Sequence, residues 1–149
     1  MKILTECIKI AQIHVVRINY ARLKLVSYFP ISVKLLKHIT EEELPILELY
    51  TSRFAKLQDL LGNKIFTLFL EQMGKNVEQM SLIDKINELE KLAIIDNAYD
   101  WQSMREIRNH LTHEYPDQPE ITAKYLNIMH ALTPALVQCL EKIKKRIRS

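Results

Sequence analysis

Glycine is almost missing from this chain, with 2 in 149 residues, and proline contributes 5. A mainly β protein needs more turn punctuation than that, so helices are expected. Cysteine is equally scarce. Cys7 and Cys139 lie far apart without CxxC spacing, which argues against a zinc site and leaves buried reduced thiols as the expectation. No uninterrupted apolar run reaches the length that spans a bilayer. Met1 to Ile13 is broken by Glu6, Lys9 and Gln12 and has no small-residue cleavage site, so no signal peptide and a cytoplasmic location are expected. There is no Gly-rich phosphate loop, no acidic pair at metal-site spacing, and no Ser or Cys nucleophile motif. No metal and no cofactor are therefore expected.

What is present is apolar and helical in period. Hydrophobic residues make up 48% and charged residues 26%, enough to build a core within one domain spanning 1–149. The net charge of +3 permits an RNA partner without demanding one. Part of the excess sits in Lys142, Lys144, Lys145, Arg146 and Arg148, where a solvated helix end is favoured over a dedicated RNA patch.

Apolar residues at three- and four-residue steps predict a helix from Ile3 to about Tyr28, broken by Pro30. A short helical turn is expected over Val33 to His38. Thr40 and Glu43 can form a capping box, and the helix they open runs through Leu49, Phe54, Leu61 and Phe69 to a stop at Gly74. Gly62 inside that run suggests a close backbone approach. Ser81, with Asp84 three residues on, starts the next helix, and Asp96-Asn97 starts one from Ala98 to Glu114. Tyr115 is expected to be the first non-helical residue, ahead of Pro116. The last helix spans Glu120 to Ile147, and Pro134 is expected to kink or split it. The fold class is all-α, an antiparallel bundle of about five helices. Its apolar stripes are longer than a small monomer can bury, which points to a homodimer.

Polar groups crowd one stretch: Arg105, Glu106, Arg108, Asn109, His110, Thr112, His113, Glu114, Tyr115 and Asp117. Cutting RNA without a metal needs a proton acceptor for the ribose 2′-OH, a proton donor for the leaving oxygen and a cation for the phosphate. His is suited to the proton work and Arg to the phosphate. On an ideal helix, however, Arg108 and His113 point roughly 140° apart. Either loosening of the helix just before Pro116 with a curled Arg108, or two-fold pairing of identical helices around one groove, would reconcile them, and the pairing is favoured. Spacing alone favours surface pairing, such as Glu106 with His110. His14, His38 and His130 stand apart and are expected at the surface or the core edge, and Trp101 and Met104 are expected to pack inward.

The segment DWQSMREIRNHLTHEYP, from Asp100 to Pro116, resembles the R-x4-H-x-Y signature of the HepT-like branch of the HEPN superfamily. Arg108 matches its arginine, Asn109 the polar residue that follows, His113 its histidine and Tyr115 its tyrosine. Thr51 to Leu61 is similar to the helix that precedes the motif in that family, and Ile86 to Leu92 to its middle helix. The resemblance implies a HEPN-like helical homodimer in which Arg108 and His113 line a cleft between subunits and cut RNA without a metal. Asn109, Arg105 and His110 would support RNA binding. It further implies a toxin–antitoxin pair whose partner is a minimal nucleotidyltransferase, with Tyr115 as acceptor of AMP. The alternative it carries is a non-catalytic subunit that presents substrate or nucleotide to a nucleotidyltransferase.

Overall fold

Helix boundaries in this chain are set by local chemistry that the side chains make visible. In the computed structural model, which describes residues 2–112 and 117–148, α1 spans Lys2–Leu25 and ends in a tighter turn over Val26–Tyr28. A short α2, Val33–Lys37, opens on Ser32, whose Oγ accepts the Leu35 N–H at 3.1 Å. The Thr40–Glu43 box then closes as expected. The Glu43 N–H donates to Thr40 Oγ1 at 3.1 Å, and the Thr40 N–H donates back to Glu43 Oε1 at 3.2 Å. Regular α3, Leu44–Leu60, begins directly after it, with Pro45 in the first turn. The Tyr28 hydroxyl also donates to Glu43 Oε1, at 2.6 Å, and so pins the end of α1 to the start of α3.

The expected single helix from Thr40 to Gly74 carries an interruption. Leu61–Ile65 widens into a π-helical turn, with the Phe66 N–H bonded back to the Leu61 carbonyl, before α4, Phe66–Gln72, resumes. Gly74 ends α4 at a φ of +83°, with the Lys75 N–H reaching the Leu70 carbonyl. The end of α5, Leu82–Lys91, uses the same device with Ala93 at a φ of +60°. At its start, Ser81 and Asp84 form the second capping box. Asn97 Oδ1 accepts the Asp100 N–H at 2.7 Å and opens α6, Ala98–Leu111. Hydrogen-bonded helix thus ends before the expected Glu114. The rest of that expectation, including Tyr115 as the first non-helical residue, lies outside the described residues. The final helix, α7, is continuous over Pro119–Arg148 and is not split at Pro134. Pro134 removes one N–H from the ladder, but Thr133, Leu136, Cys139, Leu140 and Ile143 are buried around it and hold the helix to its neighbours. The described residues therefore form about six helices and a short turn of helix, rather than five.

Cross-helix partners fix the directions. His14 meets Arg53 and Tyr28 meets Glu43, so α1 and α3 run antiparallel. Trp101 meets Gly62 and Arg108 meets Asp59, so α6 also runs against α3. Gln12 meets Lys144, and Phe29, just past α1, meets His130, so α7 opposes α1 and runs with α3. The α3–α4 rod is the hub. Tyr50, Phe54, Leu57, Leu61, Ile65, Phe66, Phe69 and Leu70 on it are fully buried, each large apolar side chain contributing about 1.5–3 kcal/mol.

Three further features follow. The basic end of α7 is less free than a solvated helix end: Arg146 donates to the Leu92 carbonyl at 2.7 Å, and Lys144 to Gln12 at 2.7 Å. Cys7 and Cys139 are buried free thiols, and burial pushes the Cys139 thiol up to about 12. The outer face of α1 is apolar and exposed at Ile3, Ile10, Ile13, Val16, Tyr20 and Leu23. Among the described residues no helix is long and apolar enough to cross a membrane.

Candidate functional site

The α6 helix presents different residues to its two neighbours, and this divides the polar stretch. Trp101, Met104 and Ile107 face the core, as expected for the first two. One step around the helix, Arg105, Arg108 and Asn109 face a cleft shared with α3 and the π-helical turn. The opposite wall carries Gln58, Asp59, Gly62 and Asn63, and Leu82 closes one end. The cleft is open to solvent on one side and holds a cavity of about 130 Å³.

Asp59 is the partner of Arg108. The guanidinium donates through Nε to Oδ1 at 2.8 Å and through Nη2 to Oδ2 at 2.7 Å, a parallel fork. Asp59 thereby pushes the Arg108 pKa up, against a smaller opposing effect of burial. Nη1 reaches Asn109 Oδ1 at 3.4 Å. An arginine has five N–H donors. Three are engaged among the described residues, and two remain on the outer edge. The charge is thus held in one orientation while its outer edge stays available to an anion. Side-chain exposures of 33% for Arg108 and 37% for Asp59 make the pair worth about 0–1 kcal/mol of stability. Its chief effect is to position the guanidinium.

The floor of the cleft is unusual. Gln58 is 4% exposed, yet its amide has no hydrogen-bond partner among the described residues. Trp101 is 2% exposed, and its indole Nε1–H is buried without an acceptor. The indole edge packs on Gly62, where an added Cβ would stand 3.1 Å from Trp101 Cζ2. The close approach suggested by a mid-helix glycine is therefore real, and its partner is Trp101.

His110 points elsewhere. Its ring stacks on Tyr125 of α7, with centroids 3.9 Å apart and planes 9° apart. It lines a separate, more apolar groove with Leu47, Thr51 and Thr122. The structure thus brings Arg105, Arg108 and Asn109 together and separates His110 from them. His113 and Tyr115 lie outside the described residues. Among the described residues, no group of three or more His, Cys, Asp or Glu side chains has the arrangement to hold a metal ion.

The other histidines are structural. His14 is buried beside Arg53, whose Nη1 lies 3.1 Å from Nδ1; burial first, then Arg53 and Lys56, lower its pKa. His130 stacks on Phe29 at 4.1 Å and pairs through Nδ1 with the Tyr50 hydroxyl at 2.8 Å. Burial, helped by Arg22, lowers its pKa as well. His38 is exposed, with Nδ1 2.7 Å from the Lys34 carbonyl oxygen.

Sequence reasoning did not single out Gln58, Asp59 or Asn63. A signal existed: Ser52, Lys56, Asp59 and Asn63 recur at three- and four-residue steps along an otherwise apolar helix. That spacing marks a polar face but does not say which element it meets. Comparisons of the chain with protein-family models, with curated proteins and with solved structures find no match.

Proposed function

We propose that this chain is a metal-independent endoribonuclease, acting as the toxin of a HEPN and minimal nucleotidyltransferase pair. The observation that carries the proposal is Arg108. It is the arginine of the R-x4-H-x-Y motif, and Asp59 holds it with two N–H donors turned outward. A phosphate beside that edge would gain charge-assisted bonds that strengthen as negative charge builds. In the reaction the ribose 2′-oxygen attacks the neighbouring phosphorus and the bond to the 5′-oxygen breaks. His113 carries the proton transfer. The products are a 2′,3′-cyclic phosphate and a 5′-hydroxyl, so DNA is not a substrate.

A homodimer in the cytoplasm is part of the proposal, and the exposed apolar face of α1 supplies surface for pairing. Transfer of AMP to Tyr115 by the nucleotidyltransferase would add bulk and negative charge to the motif and oppose RNA entry. The second reading is a non-catalytic subunit that presents a nucleotide to the nucleotidyltransferase. The unpartnered polar floor of the cleft favours it, because such a floor suits binding whether or not bonds are cut.

The test is incubation of the purified chain with end-labelled single-stranded RNA in the presence of a chelator. Cleavage to cyclic phosphate ends that is lost in His113→Ala supports the nuclease. Intact RNA with a folded, dimeric wild type, and no growth arrest on expression, supports the binding subunit instead.

A further inference from the structure

Buried polar groups in folded proteins are nearly always paired, because an unmade hydrogen bond leaves its desolvation cost uncompensated. One such group lies here, the Trp101 indole Nε1–H, which is fully covered without an acceptor. Beside it stands Gln58, a residue 4% exposed whose amide makes no hydrogen bond among the described residues. Both line the same cleft between α3 and α6. Gly62 keeps that floor open, since a Cβ there would crowd Trp101 Cζ2 at 3.1 Å. The helix widens into its π turn at the same point, a feature frequent at functional sites.

The rest of the lining says what fits. Asn63 and Asn109 add two more amides at the rim, each offering a donor and an acceptor. Leu82 gives an apolar wall. Arg105 and the outer edge of Arg108 supply positive charge at one side. The cavity, about 130 Å³, is smaller than the about 300–1,000 Å³ typical of enclosing small-molecule sites, so a ligand held here lies partly in solvent. A bare phosphate would satisfy the arginines and leave the amides unpaired. A nucleobase presents adjacent donors and acceptors along one edge, which amide side chains match.

We infer that the α3–α6 cleft holds one nucleotide unit, its base edge on the Gln58 and Asn63 amides and its phosphate on Arg105 and the outward edge of Arg108. This rests on the functional reading above only in assigning a phosphate to Arg108. It adds the base pocket, and it gives the chain a means of choosing among bases. The same chemistry is offered by a free mononucleotide and by an unpaired nucleotide within RNA.

Trp101 is the single tryptophan, so its emission reports on the cleft floor directly. The full chain is titrated with each of the four nucleoside 5′-monophosphates, with a 2′-O-methyl oligoribonucleotide that cannot be cut, and with inorganic phosphate. The expected result is a saturable change in Trp101 emission with at least one base, far tighter than with phosphate. Gln58→Leu is expected to weaken nucleotide binding at least tenfold and to leave phosphate binding as it was. Asn63→Ala, at an exposed position, provides a variant whose folding is not in question; it is expected to weaken binding about threefold and to alter base preference. Mononucleotides binding as well as the oligomer identify a free nucleotide as the ligand, and a response to the oligomer alone identifies RNA. The inference is overturned by the absence of a saturable response to any nucleotide. It is equally overturned by Asn63→Ala and Gln58→Leu chains that bind every nucleotide like wild type. Because nothing is cut in this assay, binding without RNA cleavage sinks the nuclease reading alone, and cleavage without binding at this floor sinks the base pocket alone.

Discussion

Two of the polar clusters within this apolar bundle treat their hydrogen bonds in opposite ways. Around Tyr50, capacity is spent internally. The Tyr50 hydroxyl joins His130 Nδ1 at 2.8 Å and Thr133 Oγ1 at 3.1 Å, Thr133 donates onward to the Met129 carbonyl, and Phe29 stacks over His130. In the α3–α6 cleft, capacity is held in reserve. Asp59 fixes one edge of Arg108 and leaves the other, while the Trp101 indole N–H is buried without a partner. A closed network rigidifies a packed core. An open one keeps donors and acceptors for whatever enters it.

Substitutions should separate the two clusters by what they damage. The largest effect is expected at Arg108. If the proposed nuclease reading holds, Arg108→Ala lowers RNA cleavage by about 100- to 1,000-fold, as loss of a charge-stabilising donor does. Its unfolding free energy in urea should change by less than about 1 kcal/mol, because the ion pair is partly exposed. A stability loss as large as the activity loss would make the cleft a structural cluster like the other. Tyr50→Phe is the mirror experiment. It deletes a buried hydroxyl with two partners and should cost about 1–3 kcal/mol in urea, with cleavage rates unchanged.

Asp59→Asn sharpens the difference further. It keeps the shape of the carboxylate but weakens its hold on the guanidinium. We expect about a tenfold fall in kcat with KM changed by less than about threefold, and partial recovery in Asp59→Glu. A purely structural Asp59 would lower Tm and leave any cleavage by the folded chain unchanged. The smallest effect is in pH. Burial holds His14 and His130 below the ordinary histidine pKa in the folded chain. Their unfolded counterparts take up protons first as pH falls below about 6.5, so these sites stabilise fully above that value and lose stability beneath it. Tm is expected to be level above neutrality and to fall on acidification, less steeply in His130→Gln than in wild type. A Tm that rises on acidification through this range would contradict the burial of both rings.

Local features of the fold were legible in the residues because their causes are local. The Thr40–Glu43 and Ser81–Asp84 boxes, the Asn97 cap and the Gly74 stop each depend on a few neighbouring side chains. Gly62 was legible as a close approach, but not its partner. Pro134 did not split its helix, because whether a proline ends a helix is decided by the packing around it as well as by the ring. The motif stretch was legible as a polar cluster, yet its division was not. Arg108 and His110 are two residues apart and face different neighbours, Asp59 on one side and Tyr125 on the other.

The sequence by itself determined that this chain is helical, where most of its helices begin and end, and which residues of α6 are polar. Periodicity, caps and scarce glycine act within a turn or two, so they are written in order along the chain. Only the tertiary structure decided that Asp59, 49 residues before Arg108, orients its charge, and that the buried Trp101 indole N–H lies unpaired beside Gln58 in the same cleft. Those contacts arise because α3 and α6 pack antiparallel on a shared core. That packing is set by the summed burial of many apolar side chains, not by any one of the polar residues it brings together.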